Sequence, residues 1–324
     1  MSSSTAFQDI YWRCVALFFA SSVRHNPDAV HKLFTTVASV PNVGNFSTSQ
    51  FLTQLGVEVV QVPFVHLPPL GYYGSWRNQF YILDIINYLD RCGAPDEQYV
   101  ILDSDCVFTG SIQPLSEDLS QRGLLAMDLD LPLDQNINGI TQRDMKQIFE
   151  DLGQPCSSEA AKYYGGEFFA ATTEVIHQLA REVEPLWEIG LARFQQGKLK
   201  FNEEAHFLSY LYAKLGYAEP TGNPYIGRIW TGLKFCNTSP KDFDLIIWHV
   251  PAEKKHGIRR LFQQVIRPGS RFWTVAPGRD FSHYVAGYLG IPKSSLVKKS
   301  RDVFDTVTWR IAGKLTQKKK SLAS

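Results

Sequence analysis

The chain lacks most of the features that sort a protein by inspection. Its 324 residues hold only five cysteines, Cys14, Cys92, Cys106, Cys156 and Cys236, all widely separated. No pair has zinc-ligand spacing and no disulfide framework is visible, so a reducing, cytoplasmic setting is expected. An excess of one charge is also missing. Thirty-three Lys and Arg stand against 32 Asp and Glu, and the net +1 gives no reason to expect a nucleic-acid partner. No apolar run is long enough to cross a bilayer. The N-terminal candidate, Cys14 to Ala20 extended to Val23, follows Arg13 as a signal peptide would. A first buried strand explains the same run, and the order of elements downstream requires one. Motifs are absent too. There is no Gly-x-x-x-x-Gly-Lys-Ser/Thr, no Gly-x-Gly-x-x-Gly and no Gly-x-Ser-x-Gly. That argues against a P-loop NTPase, a dinucleotide oxidoreductase and an α/β-hydrolase.

What is present is ordinary globular composition, 44% hydrophobic and 20% charged, in a chain long enough for a sizeable core. The patterning predicts strands at 14–22, 32–39, 57–62 and 99–102, with a short helix at 50–55 and a longer one from Ser75. On the latter Phe80, Leu83 and Ile86 recur at the helical period. A strand is expected at 124–127, helices at 141–152, 174–194 (with a possible break at Pro185) and 203–215, and a strand within 243–250. This alternation points to an α/β protein with a single doubly wound mixed sheet. With no Pro/Gly-rich linker before residue 280, the expected division is a catalytic domain over 1–280 and a helical basic appendage over 281–324.

The apolar run Tyr99–Leu102 ends in Asp103-Ser104-Asp105, and apolar residues resume at once. Two carboxylates at the carboxyl end of a buried strand lie where open α/β sheets bind ligands. Hard divalent cations take carboxylate oxygens and share their shell with phosphates, so Mg²⁺ or Mn²⁺ bridging a diphosphate is expected here. Asp105 is the more direct ligand, while Asp103 reaches the metal or a ribose. His249 closes another apolar run and offers a third ligand, with Lys254 or Lys255 near enough to meet phosphate oxygens. Glu203 and Glu204 open a helix, where acids are favoured in any case; across a sugar from a metal, one of them would face an anomeric carbon. In Tyr163-Tyr-Gly-Gly-Glu-Phe-Phe, Gly165 and Gly166 allow a ligand to approach the backbone.

In this order the motifs resemble retaining glycosyltransferases of the GT-A fold. Ser75-Trp76-Arg77-Asn78, the Asp-x-Asp, the Tyr163 segment and Glu203-Glu204-Ala205-His206 are similar to blood-group-type transferases (family six). That resemblance makes Glu204 the catalytic carboxylate. His249 and Lys255, six apart, resemble a motif of the glycogenin-like and bacterial galactosyltransferases (family eight), with His249 a metal ligand and Lys255 a diphosphate ligand. Ala252 and His256-Gly257 replace that motif's Gly and Pro-Trp. The resemblance implies a nucleotide-sugar donor, a UDP-sugar by preference, and transfer with retention to a glycan, lipid or protein acceptor. By position in such a fold, Phe19, Ser21 and Arg24 hold the nucleoside, and Arg77 helps to bind the donor. A sugar nucleotidyltransferase and a non-catalytic scaffold are the alternatives. The first is weakened because Ser21-Ser22-Val23-Arg24 lacks a Gly-rich phosphate loop.

The near-neutral total hides an uneven distribution. Residues 291–324 carry nine Lys and Arg and two acids, so this tail is +7 and the rest of the chain −6. A helix over 295–315 would put Val303, Phe304, Val307, Ile311 and Leu315 on one side. Such a segment suits an anionic membrane surface.

Overall fold

The computed structural model describes residues 5–75, 77–217, 221–232 and 234–306. Trp76 and the end of the expected tail helix, from 307 on, lie outside them.

The first element is a helix, α1 (Thr5–His25), where a strand was expected at 14–22. Cys14, Val15, Ala16, Leu17, Phe19 and Ala20 are all buried, so apolar neighbours surround the helix on most sides. A short continuous apolar run reads the same whether it is a buried strand or a helix buried all round, and here the second holds. Strand β1 (Lys32–Thr35), helix α2 (Thr48–Gln54) and strand β2 (Glu58–Gln61) follow, and β1 pairs parallel with β2. Ser47 caps α2 through Gln50 N. A 3-10 turn at Arg77–Phe80 leads into α3 (Tyr81–Cys92).

Strand β3 (Gln98–Leu102) gives way after three residues to β4 (Cys106–Phe108). Then come α4 (Gln113–Arg122), β5 (Leu124–Asp128), α5 (Gln142–Asp151), β6 (Tyr164–Thr172) and α6 (Thr173–Gln195), which runs through Pro185. Thr141 and Asp144 form a capping box at the start of α5. The order closes with α7 (Glu204–Lys214), β7 (Ile226–Arg228), β8 (Ile247–His249), α8 (Gly257–Val265), α9 (Arg271–Thr274) and α10 (Arg279–Leu289).

The α/β character is as expected. Among the described residues, hydrogen bonding divides the strands into three groups: β1-β2, β3-β6-β5 and β4-β8-β7. With 14–22 helical, the parallel pair gains no first strand beside it. β6 runs antiparallel to β3 and β5, and β8 antiparallel to β4.

One core packs α3, α5, α6 and α7 against the β3-β6-β5 sheet, through Leu83, Ile86, Ile148, Phe169, Val183 and Phe207. Another packs Leu17 of α1 with Val107, Trp248, Leu261, Phe281 and Leu289. The expected boundary at 280 therefore falls inside α10, whose Phe281 and Val285 are fully buried in the core beneath β4 and β8.

Candidate active site

Asp103, Ser104 and Asp105 form the turn by which the chain leaves one sheet and enters another. Register fixes what faces them. Leu102 pairs with Phe168, so Asp103 comes opposite Glu167, and Asp103 N donates to Glu167 O at 3.0 Å. Cys106 pairs with His249, and Val250 N donates to Asp105 O at 3.1 Å. Three distant stretches of sequence thus meet at one turn.

The side chains converge. One potential ligand atom from each of Asp103, Asp105 and His249 lies within 4.8 Å of the others. His249 Nε2 is 3.2 Å from Asp105 Oδ2 and 4.0 Å from Asp103 Oδ2. Its other ring nitrogen, Nδ1, is 3.2 Å from Glu167 Oε1, and Arg228 grips both oxygens of Glu167. A carboxylate behind a histidine is the usual way of orienting a metal-ligating imidazole. Two carboxylates and one imidazole are also a donor set that suits a divalent cation. The residues present therefore fit a divalent cation.

Charge is concentrated here. Burial opposes ionisation of Asp105, but His249 and Lys254 hold its carboxyl well below the usual range. Lys254 Nζ stands 2.9 Å from Asp105 Oδ2. Burial likewise works against charge on His249, yet Asp105 and Glu167 raise it to about 10. Without a metal, imidazolium and ammonium neutralise these acids, and a metal must displace the imidazolium proton. Asp103 is pushed up to about 6 by desolvation on its protein side and by the Asp105 carboxylate, while 51% of its side-chain surface meets solvent. It is the open edge of the cluster.

Glu203 and Glu204 lie beside it. Glu203 accepts from Tyr163 Oη at 2.9 Å and from Asn138 Nδ2. Burial, then the Glu203 carboxyl, push the Glu204 pKa well above the carboxylate range, and burial raises that of Glu203 as well. Among the described residues, Glu204 Oε2 has no hydrogen-bond partner. A Cβ at Gly166 would fall 2.2 Å from Glu204 Oε1, and one at Gly165 2.4 Å from Glu167 Oε2. The two glycines were expected to admit a ligand; they make room for the protein's own carboxyl groups.

Other expected contacts are placed elsewhere. Phe19 is buried among Val15, Leu52 and Val57. Ser21 Oγ donates to Phe18 O and accepts from Phe108 N, joining α1 to β4. Arg24 donates to the carbonyls of Trp273 and Val275. The nucleoside role given to these three rested on a strand end, and that strand is a helix. Arg77 donates to Pro68 O and holds the 64–75 loop. Lys254, not the exposed Lys255, lies at Asp105. Ser104 is half-buried at the tip of the turn. Glu167 and Arg228 were missed. The visible signal was an acid inside an apolar strand, between Gly166 and Phe168.

No protein-family model matches the chain, and no curated protein matches it in sequence. Solved structures do match. Mouse xyloside xylosyltransferase 1 in its apo form superposes with a TM-score of 0.47 at 12% identity, over 76% of this chain and 93% of that one. The galactosyltransferase LgtC, solved with donor and acceptor sugar analogues, superposes with a TM-score of 0.50 at 15% identity, over 83% of this chain and 94% of that one. The chain has the GT-A nucleotide-diphospho-sugar transferase fold.

Proposed function

We propose that the protein is a metal-dependent glycosyltransferase, moving a sugar with retention from a nucleotide-diphosphate donor, by preference a UDP-sugar, to an acceptor hydroxyl. The observation that carries this reading is the Asp103, Asp105 and His249 cluster, with Glu167 behind the imidazole, at the turn between two sheets. Mn²⁺ or Mg²⁺ would be held by those three residues and, when bound, supplies Lewis-acid stabilisation of the diphosphate as it leaves.

The chain's own groups do the rest. Glu167, locked by Arg228, holds the His249 ring so that Nε2 faces the carboxylates. Lys254 balances Asp105 and is the cation nearest to receive phosphate oxygens. Glu204 and Glu203 are the carboxyl groups available on the sugar side. Tyr163 and Asn138 fix Glu203, whereas Glu204 keeps one oxygen unengaged. A carboxyl group here can hydrogen-bond a sugar oxygen when protonated, or favour positive charge at the anomeric carbon when ionised.

The test is donor hydrolysis across nucleotide sugars with Mn²⁺. At least one UDP-sugar is turned over, and Asp105→Ala lowers the rate at least about a hundredfold. Undiminished turnover in that variant refutes the metal assignment.

A further inference from the structure

We infer that Lys298, in the tail, is a positioning residue for the segment that carries His249 and Lys254; this rests on the donor-site reading above. Lysine is almost never fully buried unless paired. Lys298 is 4% exposed, and its Nζ lies 2.8 Å from Glu253 Oε1 and 2.6 Å from Asp302 Oδ2. Glu253, also buried, ends the 3-10 turn Pro251–Glu253, between His249 and Lys254. Its other oxygen accepts from Gly257 N at 2.8 Å, at the start of α8, and Thr231 Oγ1 donates to the same oxygen that Lys298 holds. One carboxylate thus joins the metal-side segment, the approach to α8, the 231 loop and the tail.

The packing is built around this pair. A Cβ at Gly257 would lie 2.6 Å from Glu253 Oε2, and one at Gly290 2.9 Å from Lys298 Cδ, with Gly290 at φ +79°. Arg260 adds a second clamp on the same helical stretch, through Asp302 at 2.6 Å and Asp305 at 2.8 Å. Without the Lys298 ammonium, Glu253 is a buried charge short of its partner. The cheapest relief is for the 251–256 segment to move Glu253 towards water. That motion draws Lys254, its immediate neighbour, away from Asp105.

The experiment compares full-length Lys298→Met and Lys298→Arg with the parent protein, and with Val183→Ala as a variant weakened in the other core. Calorimetry with UDP and Mn²⁺ is expected to show Lys298→Met weakened by at least about tenfold and Lys298→Arg within about threefold of the parent. Amide hydrogen exchange without ligand is expected to quicken across 249–257 in Lys298→Met and not selectively in Val183→Ala. Unselective exchange, or undiminished UDP affinity in Lys298→Met, overturns the inference. If the parent binds no UDP, the donor-site reading fails, and the exchange measurement still decides the role of Lys298. If Lys298→Met does not fold, Lys298→Gln, which removes the ammonium but keeps a hydrogen-bond donor towards Glu253, takes its place in both measurements, with the same outcomes expected.

Discussion

A carboxylate inside an apolar strand is costly unless paired, and Glu167 is paired on two sides, with Arg228 and with His249. Glu167→Gln keeps the shape but removes the charge that holds the ring. Outer-shell partners of this kind are typically worth 10–100-fold in metal affinity. Titration of the variant with Mn²⁺ in the presence of UDP should show a loss of about that size with near-native circular dichroism. An unchanged affinity would separate Glu167 from the proposed metal site. Asp103, Asp105 and His249 were legible in sequence because each borders an apolar run. Glu167 was not, because only the register of β6 against β3 brings it opposite Asp103. The choice of Lys254 over Lys255 is of the same kind, since both follow His249 closely and only backbone direction separates them. His66 makes a different residue-level prediction. Burial disfavours its charge, but Asp84 at 2.6 Å and Glu184 at 3.1 Å outweigh that and raise its pKa above the ordinary value. Its contribution is therefore fully present below the unfolded pKa of about 6.5 and is lost as pH rises through the higher folded value. Urea denaturation from pH 5.5 to 9 should show this decline in the parent and lack it in His66→Gln. Parallel pH profiles for the two proteins would count against the pairing.

Among the elements, those with a clear period or punctuation were legible. The spacing of Phe80, Leu83 and Ile86 became the end of the 3-10 turn and the buried side of α3, Thr141 became a cap, and Tyr99–Leu102 became most of β3. The run at 14–22 reads equally as strand or helix because it has neither glycine nor proline and is apolar from Cys14 to Ala20. The last described helix, at 296–306, is unusual in its facing. Lys298, Asp302 and Asp305 point to the body through their ion pairs, while Leu296, Val297, Val303 and Phe304 are between 51% and 82% exposed. A surface helix normally buries its apolar side. With Lys299 and Arg301 beside that side, and only basic charges in the sequence after Asp305, the facing suits an anionic lipid surface. The protein should sediment with phosphatidylserine-containing vesicles and weakly with neutral ones. Leu296→Glu/Val303→Glu should reduce anionic partitioning at least about tenfold. Equal sedimentation of parent and variant would leave this face without a lipid role.

At the scale of the whole molecule, the site strands are anchored on chain from both ends of the sequence. Val107 of β4 and Trp248 of β8 flank Cys106 and His249 in their strands, and both pack in a core shared with Leu17 of α1 and with Phe281, Val285 and Leu289 of α10. The sequence showed no linker before 280, and none separates α10 from the body. What it did not show is that a helix beyond that point packs beneath β4 and β8, because a charged tail and a buried helix followed by one look alike until the partners of Phe281 are known. Phe281 is fully buried, so Phe281→Ala should cost about 3–5 kcal/mol and lower Tm by roughly 10 °C. Since the same core holds β8, calorimetry should show one transition in both proteins. UDP with Mn²⁺ should raise both midpoints, because ligand binding to the folded form alone stabilises it. Two separate transitions, with only the lower one sensitive to Phe281→Ala and only the upper one to UDP and Mn²⁺, would instead make α10 part of an independent appendage.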